Sequence, residues 1–101
     1  MSNPSESGGE TPRTAPNYER ELLLDFALSE VHLGLAFVAA ARAAYGHGRI
    51  QFGDDARAKA QNVMAEAKAL AERLGVESKP SIGPHLQHLQ ESLDGLVRPA
   101  T

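Results

Sequence analysis

The stretch AYGHGRIQFGDDA, Ala44–Ala56, gathers three glycines, one histidine and two adjacent aspartates. Phosphate cradles and metal sites are built from these residue types. The spacing argues against a phosphate. G-x-G-x-x-x-x-G matches neither the dinucleotide fingerprint nor the P-loop, no strand pattern precedes it, and no Lys-Ser/Thr follows. Two aspartates at the start of the next helix would also repel a phosphate there. For a metal, His47, Asp54 and Asp55 are near in sequence, but the aspartates suit helix N-caps better. His85 and His88 form an H-x-x-H pair, which is half a zinc site. Glu30 stands two residues before His32, not the three of the Glu-x-x-His motif of di-iron bundles.

No nucleophile, base and orienting group stand together, so the expectation is a non-enzyme with no cofactor and no metal. Arg42 and Arg49, with Tyr45 between them on adjacent turns, are a candidate anion contact. The alternative is pairing with carboxylates of the following helix such as Glu66. His32 is either a pH-sensitive interface residue or part of the polar line Glu21, Asp25, Ser29 and His32.

Composition narrows the classes further. The 101 residues suffice for one small domain, and 42% are hydrophobic, many of them alanines. Such a core buries little area per position, and association would add stability. There is no cysteine, so disulfides and thiolate chemistry are excluded. A net charge of -3 disfavours a nucleic-acid partner. The longest apolar run, Leu33–Ala41, falls short of the ~20 residues that span a bilayer. With no apolar segment near the start, the expectation is a cytoplasmic protein that does not engage a membrane.

Residues 1–17 are Ser, Pro, Gly, Glu and Thr with little to bury, and read as a disordered tail. From Tyr18 the apolar positions follow a helical period. Leu24, Val31, Val38, Tyr45 and Phe52 form one line, and the small residues Ala27, Gly34, Ala41 and Gly48 form another. The register passes through Gly46 and Gly48, which predicts one helix over about 18–52. Gly46 ending the helix early is the alternative. Gly53 then serves as the stop and Asp54 or Asp55 as the cap of a second helix over 55–74. Its seam is Ala56, Ala60, Val63, Ala67, Leu70 and Leu74, and Gly75 ends it. Val76–Gly83 reads as a polar linker. A third helix over 84–97 starts at Pro84 with the seam Leu86, Leu89, Leu93 and Leu96, which can extend back to Ile82. Residues 98–101 form a short tail.

The stretch Ala39–Leu74 resembles one tetratricopeptide-like helical hairpin. Tyr45 and Gly46 in the first helix, Gly53-Asp54 at the turn, and Ala58 and Ala65 in the second carry the resemblance. Arg42, Arg49, Asn62 and Leu70 depart from the usual pattern. The resemblance implies a helix-pair scaffold that binds peptides or proteins, with no catalysis and no specific binding residues.

The sequence therefore predicts an all-α domain over 18–97, a long antiparallel helical hairpin with a shorter third helix. A 35-residue first helix would span roughly 52 Å and a 20-residue second about 30 Å. That mismatch points to a surface covered by a protein partner or a second copy. The expected surface is Leu22, Leu23, Phe26, Val31 and Leu35 with Leu86, Leu89 and Leu93. The competing expectation is a small-ligand site where the hairpin splays, bordered by Phe26, Leu70, Leu74 and Leu89.

Overall fold

The structure, a computed structural model, describes residues 5–100, with side chains from Tyr18 onward. Of the tail expected over 1–17, residues 1–4 lie outside the described residues, and residues 5–17 form the first turns of α1. Three helices follow in order: α1 Ser5–Gly46, α2 Ile50–Leu74 and α3 Lys79–Asp94, with a 3₁₀ turn at Val76–Ser78 before α3. The all-α hairpin with a shorter third helix is the observed fold.

The two lines of α1 merge into one buried seam: Ala27, Val31, Gly34, Val38, Ala41 and Tyr45. Spacing of four and three alternately keeps them on one face. Opposite them lie Gly53, Ala60, Val63, Met64, Ala67 and Leu74 of α2. Ala56 and Leu70, expected on that seam, are half-buried at its edge.

α1 does not continue to Phe52. It ends at Gly46, and Gly48 adopts φ 76°, the left-handed conformation that glycine enters without penalty. The amide of Gly48 donates to the Tyr45 carbonyl at 3.1 Å and that of Arg49 to the Ala44 carbonyl at 2.8 Å. This pair of bonds is a Schellman ending with Gly48 as its C′ residue. Gly48 is therefore not on the small-residue line, and Phe52 is exposed within α2. α2 starts at Ile50, so Gly53 and Asp54 are interior residues, neither stop nor cap. The turn residues of the tetratricopeptide-like pattern lie one turn into this helix.

Over its full extent α1 has 42 residues against 25 in α2, so the mismatch in length persists in the turns before Tyr18. From Tyr18, α1 has 29 residues against 25 in α2. Arg20 near the start of this stretch reaches past the end of α2, bonding Glu77 Oε1 at 2.8 Å and Ser78 Oγ at 3.3 Å. No overhang remains among the residues from Tyr18 on.

α3 begins at Lys79 instead of Pro84, which sits inside the helix and withholds the amide that would bond the Pro80 carbonyl. Ile82, fully buried, explains the earlier start: the helix must begin before it to turn that side chain inward. With Leu86, Leu89 and Leu93 it forms the inner seam of α3; the helix ends at Asp94, short of the expected 97, and Leu96 joins the core from beyond its end. The helix starts beside Arg20 and ends near the first turns of α2, so the order is up, down, up. Its central contact is Leu89 against Gly34. A Cβ on Gly34 would fall 2.8 Å from Leu89 Cδ2, with Val63 Cγ1 at 3.5 Å. All three helices meet there.

A second close approach lies near the turn, where a Cβ on Gly53 would sit 2.9 Å from Tyr45 Cζ and nearer still to two other ring atoms. The ring is buried and cannot yield. Gly53→Ala should therefore destabilise by ~1–3 kcal/mol despite its better helix propensity. Gly46→Ala, with open space around it, should be neutral or slightly stabilising. Urea unfolding of both variants checks the contrast.

Candidate functional site

The glycine-rich stretch holds a structural cluster. The Tyr45 hydroxyl donates to Asp54 Oδ1 at 2.6 Å. Arg98, expected in a short tail, grips the same carboxylate with Nε at 2.9 and 3.2 Å and Nη2 at 3.1 Å. The Arg98 and Tyr45 hydrogen bonds, in that order, hold the Asp54 carboxyl below its ordinary range. Burial, then the bond to Asp54, pushes the Tyr45 phenol up. The charged groups here satisfy one another, and the arrangement pins the chain after α3 to the start of α2.

The other expected chemistry is dispersed. His47 Nδ1 stands 2.8 Å from the Ala43 carbonyl, capping the end of α1. The Arg49 guanidinium lies 5.9 Å from the centre of the Phe52 ring, a cation–π contact. A shallow groove of about 370 Å³ includes Ala43, Ala44, His47, Arg49 and Phe52, but not Arg42. His32 meets His85 of α3 edge to face, ring centres 6.4 Å apart, on the exposed surface. Among the described residues no group of three potential ligands stands together.

Glu66 faces Glu30 across the hairpin, not an arginine. Glu30 Oε1 is buried with no hydrogen-bond partner. Burial first, then a hydrogen bond to Glu66 and its charge, push the Glu30 carboxyl above the ordinary carboxylate value. This pair lies beside the seam between α1 and α2, with no cation among the causes of the shift.

The expected surface residues divide in two. Val31, Leu89 and Leu93 are buried inside the chain's own core, and Leu23, Leu35 and Leu86 are half-buried. Leu22 and Phe26 are exposed, at 50% and 54%, with Tyr18 at 59% and Leu33 at 45%. At ~100° per residue these four fall on one stripe of α1, opposite the seam that packs on α2. Ser29, Ala36 and Ala40 share it and are exposed too. Tyr18 and Leu33 escaped the sequence reading, although the spacing of Tyr18, Leu22 and Phe26 already signals the stripe.

α1 is therefore apolar on both faces. From Tyr18 to Gly46 it is long and apolar enough, by length and composition, to cross a membrane, and only 22% of its most apolar window is buried. The unbroken apolar run is much shorter because Glu30, His32 and Arg42 interrupt the sequence. A separate groove of about 810 Å³ lies between the end of α2 and the start of α3. Ala71, Val76, Pro80, Ile82 and Leu86 line it, with Lys68 and Lys79 among the polar residues. It is not the site expected from Phe26, Leu70, Leu74 and Leu89; Leu74 and Leu89 are core residues.

No family model matches the chain. No curated protein and no solved structure matches it either.

The two carboxylates have opposite linkage. The raised Glu30 value disfavours the folded state once pH rises above the ordinary carboxylate range, because the unfolded chain ionises first. The lowered Asp54 value stabilises above that range, and this contribution is lost as pH falls through the depressed value. Glu30→Gln should raise Tm at pH ~7 and Asp54→Asn should lower it; the first difference closes as pH falls below the ordinary carboxylate range, the second only as pH falls through the depressed Asp54 value. Thermal melts across pH check both signs.

Proposed function

We propose that this protein is a non-catalytic helical interaction module that self-associates through the outer face of α1. The carrying observation is the exposed stripe Tyr18, Leu22, Phe26 and Leu33 on the face that α2 and α3 leave open. A helix with two apolar faces has each covered by a core, a bilayer or a partner. With only 22% of its apolar window buried, α1 is not covered by its own core. A bilayer is disfavoured by α2, which runs alongside carrying Asp54, Asp55, Arg57, Lys59, Glu66, Lys68, Glu72 and Arg73. Each charge drawn into the hydrocarbon would cost ~2.5–3.5 kcal/mol or more. A protein surface covers the stripe without that cost.

Light scattering on size-exclusion fractions should give a mass above the 10.8 kDa monomer, rising with concentration. Leu22→Glu or Phe26→Glu should return the mass to the monomer with helical content unchanged. A monomer at every concentration sinks the reading.

The groove beside Lys68 and Lys79 supports a second reading, binding of an apolar ligand with an acidic head. Its volume exceeds the ~300 Å³ of small ligand sites. Under that reading decanoate raises Tm, and Lys68→Glu with Lys79→Glu abolishes the rise.

A further inference from the structure

Resting on the self-association reading, we infer that the occupant of the outer stripe is a second copy of α1 running antiparallel, paired about a two-fold axis at residue 31. The stripe in order is Tyr18, Leu22, Phe26, Ser29, Leu33, Ala36, Ala40 and Ala44. All eight fall within about 80° of arc at 100° per residue. Bulky residues dominate the first half and small ones the second.

Reversing the stripe about residue 31 pairs Tyr18 with Ala44, Leu22 with Ala40, Phe26 with Ala36 and Ser29 with Leu33. Every pair matches one large side chain with one small. A two-fold interface is isologous, so one patch must complement itself, and this stripe does so only when reversed. A parallel pair sets Tyr18 on Tyr18, Leu22 on Leu22 and Phe26 on Phe26, and leaves alanine against alanine at the other end. The bulky end then holds the helices apart where the alanines need them close. Large against small along the whole length fits one interaxial distance, ~8–10 Å.

The stripe carries no charge, so no ion is buried unpaired. The four bulky side chains are about half exposed. With the alanines they offer roughly 600 Å² per copy, against ~800 Å² in a standard interface. α2 lies on the opposite face of α1, so the two copies meet without displacing it.

The chain has no cysteine, so introduced thiols report pairing directly. Leu22→Cys and Ala40→Cys variants, mixed and mildly oxidised, should form a disulfide between position 22 of one copy and position 40 of the other. Antiparallel pairing places two copies of position 22 about 27 Å apart, beyond disulfide reach. A size swap is the second test. Ala36→Phe alone should weaken association roughly tenfold or more, and Phe26→Ala with Ala36→Phe should restore it. A dimer that links 22 to 22, or one that neither links 22 to 40 nor responds to the swap, overturns the antiparallel pairing and leaves self-association standing. A monomer overturns both. A monomer that sediments with neutral phosphatidylcholine vesicles assigns the stripe to a lipid surface instead.

Discussion

The contact on which the bundle depends is Leu89 of α3 resting on Gly34 of α1. A hairpin of two helices encloses too little apolar surface to be stable alone, and its core here is mostly alanine and valine. α3 adds three large aliphatic side chains, Ile82, Leu89 and Leu93, to the buried interior. Leu89 reaches it only because α1 has no side chain at position 34. Each leucine so buried is worth roughly 1.5–3 kcal/mol. The same missing side chain draws Val63 of α2 into contact, so one backbone position joins all three helices.

The glycine-rich end solves a related problem at the turn. Tyr45 is the one large aromatic in the hairpin core, and it sits where the helices are otherwise lined by small residues. Gly53 makes room for its ring, and Asp54, one residue on, accepts the hydroxyl that the ring carries toward the surface. Arg98 then fastens the end of the chain to that carboxylate. What looks in the sequence like a ligand site is the packing and polar satisfaction of a single buried tyrosine. The Glu30 pair is the opposite case, a polar contact at the edge of the hairpin that disfavours the charged state of one partner.

α1 does two jobs with two faces. One face, small and regularly spaced, is consumed by α2 and α3. The other, with Tyr18, Leu22, Phe26 and Leu33, has no partner among the described residues. Because its bulk is graded from one end to the other, the outer face complements its own reverse. The fold and the proposed association thus draw on one helix read at two angles.

The sequence by itself determined the all-α class, three helices, the identity of nearly every core residue on α1 and the stop at Gly75. Those follow from apolar periodicity and terminal chemistry, which are local. Tertiary structure decided where α1 ends. Periodicity carries on through Gly46 and Gly48, and only the left-handed turn at Gly48, with Gly53 packed on Tyr45, breaks it there. It decided that α3 starts before Pro84, because burial of Ile82 outweighs the lost backbone bond. It also joined Asp54 to Arg98 across 44 residues, and Glu30 to Glu66. No local pattern encodes those pairs; they exist because packing the helices brings the residues together. The outer stripe lies between the two. Its period is legible in the residues, but its exposure could be known only once α2 and α3 had taken their sides of α1.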